Sequence, residues 1–237
     1  KKNGTIITDE SIPQFKRIKK ISNNKKLKLN FLSSKKNNSQ FEVTSHNFEG
    51  ERQLVELCYK KLKFQFALNL IGKIQLKNVL MAAFAAEKSG IKINEILENL
   101  NKIKPIHGRL EKIGKINNNS KVILDYAHTP EALKIVLKNI QNQFLDKKIS
   151  LVFGCGGNRD KAKRKLMGKI ANSYCHKIYL TDNNPRNENP KSIRNDIKKG
   201  INSKKLLEIS DRKKAIYQSI SDLNSGEIVL IAGKGHE

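Results

Sequence analysis

Tryptophan is absent from this 237-residue chain, and proline, cysteine and methionine number only five, three and two. Cys58, Cys155 and Cys175 are odd in number, far apart and without a Cys-x-x-Cys pair. That excludes a disulfide framework and a zinc knuckle, and it fits a reducing, cytoplasmic setting. No apolar run approaches the roughly 20 residues of a membrane-spanning helix, and no leader pattern opens the chain. Acidic residues are scarce as well: 22 Asp and Glu stand against 47 Lys and Arg, for a net charge of +25 and a pI near 10.0. Such a balance invites a nucleic-acid reading. The lysines, however, are spread over the whole length and interleaved with asparagine, and no aromatic–basic ribonucleoprotein motif is present. The excess reads as compositional drift, with a general field that draws in anionic small molecules. Neither nucleic acid nor membrane is expected as a partner. The opening KKNGTIITDE runs into a strand without an initiating Met, and the closing IVLIAGKGHE stops on a glycine turn. Both ends read as cuts through a longer chain.

What is present falls into two parts. Residues 1–77 read as irregular and strand-rich, with strands expected at Thr5–Thr8, Leu27–Leu32, Phe41–Thr44 and Lys63–Leu70. An Ala-rich helix over Asn78–Ser89 is closed by Gly90. Asn94 is expected to cap a second helix carrying Ile96, Leu97, Leu100 and Ile103, which Pro105 ends. A boundary is placed in Lys104–Gly108, which divides the chain into residues 1–106 and 107–237.

Beyond it strands and helices alternate. Strands are expected at Val122–Leu124, Leu151–Phe153, Ile178–Leu180, Leu206–Ile209 and Ile228–Ile231. Thr129, Asp160, Asn189 and Asp211 are expected to cap the intervening helices, two of which open on Pro130 and Pro190. The helix after Asp160 carries its apolar positions at Leu166, Met167, Ile170 and Tyr174. This alternation implies an α/β fold with a mostly parallel sheet covered on both faces.

In such a sheet the carboxyl ends of the strands share one rim, where open α/β sheets bind ligands. Four turns would meet there: Asp125-Tyr-Ala-His128, Gly154-Cys-Gly-Gly157 with Arg159, Asp182-Asn-Asn-Pro-Arg186, and Gly233-Lys-Gly-His236-Glu237. Arg159, Lys161, Lys163 and Arg164 crowd a helix start where the dipole disfavours cations, which points to an anionic ligand. The glycine turn is neither a P-loop nor a full dinucleotide fingerprint, because Arg159 stands where the third glycine belongs. Arg159 and Arg186 can each fork onto a carboxylate or phosphate, and Glu237 can accept from an ammonium. That set suits a zwitterionic amino acid better than a nucleotide alone. His128 and His236 could serve as general bases, though loop-fixing roles are the plainer reading. Two other classes stay open at this point. One is a nicotinamide-dependent dehydrogenase, with Asp182 somewhat far from the turn to bind a ribose; the other is a basic nucleic-acid binder.

Five ordered segments, GRLEKI (108–113), LDYAHTPEAL (124–133), FGCGGNRDKAKRKLMG (153–168), TDNNPRNENP (181–190) and AGKGHE (232–237), together resemble the Mur ligase family. The resemblance is weaker over residues 1–104, where only IGKIQLKNVLMAA is distinctive. It implies that residues 1–106 belong to the C-terminal part of a central ATP-binding domain and residues 107–237 to an amino-acid-binding, Rossmann-like domain. It implies an ATP- and Mg²⁺-dependent ligase of peptidoglycan synthesis. Such an enzyme adds meso-diaminopimelate to UDP-MurNAc-L-Ala-D-Glu through an acyl phosphate; an L-lysine-adding homologue is the alternative. It places Arg159, Asn183, Asn184, Pro185, Arg186, Gly233 and Glu237 at the amino acid, and Asn78, Arg109, Asp125 and His128 at ATP. It further implies a cytoplasmic, monomeric enzyme. The chain departs from the family pattern at Asn183, where an Asp leads the signature, and at Gln75, where an Asn precedes the adenine position. No GTNGKT-type loop, carbamylated-lysine segment or Mg²⁺-binding Glu segment is visible. No catalytic residue or metal ligand is therefore assigned within the chain, which is expected to be inactive alone.

Overall fold

A computed structural model describes residues 4–33, 41–114 and 119–234. The chain forms two compact units that divide between Lys104 and Pro105.

The first unit holds a five-stranded sheet in the order β1-β2-β3-β4-β5: β1 (Thr5–Asp9), β2 (Lys28–Ser33), β3 (Phe41–Glu49), β4 (Arg52–Tyr59) and β5 (Leu62–Leu68). β1, β2 and β3 run parallel, while β3, β4 and β5 form an antiparallel meander. Helix α1 (Phe15–Asn24) links β1 to β2. Sequence reasoning missed α1, because Phe15, Ile18 and Ile21 are its only apolar residues and lysines separate them. It also missed β4, although burial alternates along that strand as a half-buried surface requires. Helix α2 (Lys73–Lys88) starts five residues before the expected Asn78. Helix α3 (Ile93–Glu98) has Lys92, not Asn94, at its N-cap, and a 3₁₀ turn at Leu100–Lys102 follows it. The core joins Val55, Leu57 and Tyr59 of β4 to Leu76, Leu80 and Phe84 of α2.

The second unit is a six-stranded sheet in the order β10-β9-β8-β11-β7-β6. Strands β7 (Lys121–Asp125), β8 (Ile149–Phe153), β9 (Lys177–Leu180), β10 (Leu206–Glu208) and β11 (Ile228–Ala232) are parallel. The short β6 (Glu111–Ile113) was not foreseen and pairs antiparallel with β7. Every residue of β8 and β11 is buried, as central strands covered on both faces require. Val122, Val152, Tyr179 and Val229 pack on one face with Ala215 and Ile216 of helix α7 (Arg212–Ser221). Helices α4 (Pro130–Gln143), α5 (Ala162–Tyr174) and α6 (Pro190–Lys198) pack side by side in that order. Thr129, Asn189 and Asp211 cap α4, α6 and α7 by accepting from Ala132, Lys191 and Lys214. Asp160 lies one residue ahead of the α5 N-cap, yet its carboxylate still accepts from the Ala162 amide at 2.8 Å. The α5 core face is Arg164, Met167, Gly168 and Ala171. Leu166, expected in the core, is 50% exposed.

Candidate amino-acid site

Parallel strands bring the turns after β7, β8, β9 and β11 to one edge of the second unit's sheet. Backbone bonds tie them together: Gly233 N–H donates to the Asp125 carbonyl at 3.1 Å, and Thr181 N–H to that of Phe153 at 3.0 Å. Between them lies a cavity of about 520 Å³, in which Arg159, Asn183, Asn184, Arg186, Gly233 and His128 meet. Six residues expected at a ligand thus line one space. Pro185 lies between two of them and is half-buried. Glu237 and His236 lie outside the described residues.

The two arginines are held differently. Arg159 is exposed and has no hydrogen-bond or ion-pair partner among the described residues, so its whole guanidinium fork faces solvent and the cavity. Arg186 sits at φ +52°, a left-handed conformation that costs an ordinary side chain about 1–2 kcal/mol. Its Nη1 donates to the Gly157 carbonyl at 2.8 Å, leaving its other donors toward the cavity. Strain of this kind clusters where a ligand is held. Asn183 is 8% exposed, and its side-chain Oδ1 is buried without a hydrogen-bond partner. An unpaired buried acceptor costs on the order of 1–3 kcal/mol, so the cavity is built to receive a donor there.

The two loops that carry these groups interlock. Gly157 N–H donates to the Asn184 carbonyl at 3.0 Å. A β-carbon on Gly157 would overlap the Pro185 carbonyl, and one on Gly156 would stand 2.8 Å from Arg186 Nη1. Arg164, expected with its neighbours to face an anion, instead turns inward and is 1% exposed. Its Nη2 grips both oxygens of Glu188 at 2.9 and 3.0 Å, and its Nη1 reaches Asp196 at 3.2 Å. Burial works against the Arg164 charge, but the two carboxylates outweigh it and hold its pKa above the ordinary value. Lys163 also serves structure, donating to the His128 carbonyl at 3.0 Å. Tyr126, Glu131, Lys163 and Leu166 line the cavity without having been foreseen. The first-turn Glu131 beside Pro130 was the available signal, since it places a carboxylate on the same rim.

Of the residues expected at ATP, Asn78 lies on α2 in the first unit and is exposed. Arg109 is exposed and stacks its guanidinium 4.9 Å from the Tyr126 ring centre. Asp125 is buried, and its two oxygens accept from the amides of Leu110 at 2.9 Å and Ala127 at 2.8 Å. Burial raises its pKa, against those two bonds and the Arg109 charge. Leu110, at φ +47°, is thereby pinned beside Arg109. His128 is exposed; its Nδ1 lies 3.1 Å from the Tyr126 carbonyl. Cys155 is buried in the glycine turn, with its thiol pushed up to about 11 by burial, which makes it inert. Asp182 is engaged by Arg194, so the acid that a nicotinamide ribose would need is already paired. Among the described residues no cluster of three or more His, Cys, Asp or Glu could hold a metal ion, and no helix is long and apolar enough to cross a membrane.

The chain spans about half the length of the curated relatives it matches. It is 37% identical over 236 residues to the UDP-N-acetylmuramoyl-L-alanyl-D-glutamate–2,6-diaminopimelate ligase of Rickettsia montanensis, covering 99% of this chain and 48% of that protein. The ligase of the same name from Halalkalibacterium halodurans is 37% identical over 201 residues, 85% of this chain and 41% of that one. A solved structure of such a ligase superposes with a TM-score of 0.68 at 30% identity, over 99% of this chain and 48% of the other. An ADP-bound folylpolyglutamate synthase of Mycobacterium tuberculosis shares the fold, with a TM-score of 0.77 at 15% identity over 97% of this chain and 52% of that one. The family model described as "Mur ligase, glutamate ligase domain" matches residues 108–235. With more than half its length inside that domain, the chain belongs to the Mur ligase family.

Proposed function

We propose that residues 107–237 form the amino-acid-binding domain of an ATP-dependent acid–amino-acid ligase of peptidoglycan synthesis, and that residues 1–106 belong to its central ATP-binding domain. The amino acid is meso-diaminopimelate, joined to UDP-MurNAc-L-Ala-D-Glu by a cytoplasmic, monomeric enzyme. The observation that carries this reading is the cavity where Arg159 and Arg186 flank the unpaired Asn183 Oδ1. Two cationic forks match the two carboxylates of diaminopimelate. The buried acceptor matches one of its ammonium groups. L-lysine has a single carboxylate and would leave Arg186 without a partner. Asn183 in place of the family's Asp keeps the acceptor but gives up its charge.

In this reading ATP supplies the phosphoryl group that turns the D-glutamate carboxylate into an acyl phosphate. The amine of diaminopimelate then attacks the acyl carbon, the C–N bond forms, and inorganic phosphate leaves with the C–O electron pair. This chain's residues orient the nucleophile. Arg159 and Arg186 hold the carboxylates, and Asn183 directs the ammonium end. Arg109, fixed through the Leu110–Asp125 bond, offers a guanidinium to the nucleotide phosphates, with Asn78 and His128 also at ATP. The described residues offer Mg²⁺ no ligand cluster, and no step is assigned to it.

The test uses the full-length protein that carries this chain. Phosphate release should require ATP, the UDP-linked dipeptide and meso-diaminopimelate together. Arg186→Ala should raise the KM for diaminopimelate by about 100-fold, the scale of a lost bidentate charge-assisted contact of 2–3 kcal/mol. Equal turnover with L-lysine, or an unchanged KM, overturns the assignment.

A further inference from the structure

Arg164 is a buried cation that the ligand reading does not use. Its two partners sit on different elements. Asp196 lies on α6, while Glu188 lies in the loop that carries Asn183–Arg186. Replacing a buried ion pair by apolar side chains is often neutral or stabilising, so stability alone is a weak reason to keep one. What such a pair provides is defined geometry.

The geometry here is specific. Glu188 accepts the Arg164 fork in bidentate fashion, and its Oε1 also accepts the Asn158 amide. Asn158 is the residue before Arg159, and its own Oδ1 accepts the Asn187 amide at 3.2 Å. The Gly157 amide and carbonyl then bond to Asn184 and Arg186. One carboxylate thus binds the base of the turn presenting Arg159 to the loop presenting Arg186. We infer that Arg164 is a positioning residue: by gripping Glu188 it fixes the separation of the Arg159 and Arg186 forks, and this separation selects a substrate by the distance between its carboxylates. The inference rests on the site reading above. The Arg164 hydrogen bond is the first cause of the lowered Glu188 pKa, with the Asn158 amide second, consistent with a carboxylate kept ionised at the junction.

The test compares wild type with Glu188→Gln, Arg164→Lys and Asp196→Asn in the 237-residue chain. Glu188→Gln keeps the shape and removes the charge. Arg164→Lys keeps the charge but loses the planar fork. Asp196→Asn disturbs the α6 contact and leaves Glu188 untouched. Titration calorimetry gives the Kd for meso-diaminopimelate and for L-lysine, and amide exchange by NMR reports on the Gly157 N–H. Wild type should prefer diaminopimelate. Glu188→Gln and Arg164→Lys should each weaken diaminopimelate by about tenfold while moving lysine less than about twofold. Both should also speed Gly157 exchange by about tenfold, because that bond closes only when the loops are held together. Asp196→Asn should leave the preference and the exchange near wild type. Variants that melt lower but keep the diaminopimelate preference show a merely structural clamp and overturn the inference, as does an Asp196→Asn loss of preference equal to that of Glu188→Gln. A wild-type chain without preference overturns the site reading itself.

Discussion

Two adjacent glycines should respond differently to one methyl group. On Gly157 a β-carbon would overlap the Pro185 carbonyl oxygen and stand 2.7 Å from its carbon and 3.2 Å from Glu188 Cβ. Backbone atoms cannot rotate aside, so the 183–188 loop must retreat, breaking the 3.0 Å bond from Gly157 N–H to Asn184. Overpacking costs about 1–3 kcal/mol and the lost hydrogen bond about 1, against about 0.4–1 regained from the stiffer unfolded chain. The balance is roughly 2 kcal/mol, which lowers Tm by roughly 5–10 °C in a domain of this size. On Gly156 the nearest obstacle is Arg186 Nη1 at 2.8 Å, the far end of a flexible side chain, followed by the Asn184 carbonyl oxygen at 3.6 Å. That guanidinium can swing away. Gly156→Ala should hold Tm within about 2 °C yet weaken diaminopimelate by about tenfold, through the lost Arg186 anchor. Scanning calorimetry and a binding titration on the same two proteins decide the matter. Gly157→Ala at the wild-type Tm, or Gly156→Ala with unchanged affinity, would refute the interlocked-loop reasoning.

Other outcomes follow from the same geometry. Asp125→Asn leaves one acceptor for two backbone donors, Leu110 and Ala127. The orphaned N–H should cost about 1–3 kcal/mol in urea unfolding, and nucleotide affinity should fall because Leu110 no longer pins Arg109. Because the pKa of Asp125 is raised in the fold, its own contribution is fully present below its ordinary value of 3.8 and is lost as pH rises through the folded value. Glu188 behaves oppositely. Its pKa is lowered in the fold, so its contribution is present above the ordinary 4.5 and disappears as pH falls through the depressed value. Glu188→Gln should therefore flatten the acid side of the Tm–pH curve; an unaltered acid limb counts against the Arg164–Glu188 pairing.

The second unit was largely legible because its strands are short apolar runs set between capped helices. β8 and β11 read as buried from either face, and Thr129, Asn189 and Asp211 announce their helices. The rim followed from topology, since parallel strands deliver their carboxyl ends to one edge. The first unit was harder. In α1 the lysines dilute a three-residue apolar stripe below recognition, and β4 hides behind alternating polar residues. Arg164 could not be told from Arg159, Lys161 and Lys163 locally. Only the fold shows that it points inward, because its partners lie 24 and 32 residues further along the chain.

The contact between α5 and α6 has a consequence beyond packing. A β-carbon on Gly168 would come within 3.3 Å of Gly200 Cα, and one on Gly200 within 2.6 Å of the Lys169 amide nitrogen. Here the two backbones touch, about one helical turn beyond Arg164. This point is a fulcrum: α5 anchors Arg164, α6 follows the loop of Arg186, and any widening between them is transmitted as leverage to the rim. The span between the two substrate-facing arginines can thus be retuned from beneath, by bulk at position 168 or 200, with no change to a residue that meets a ligand.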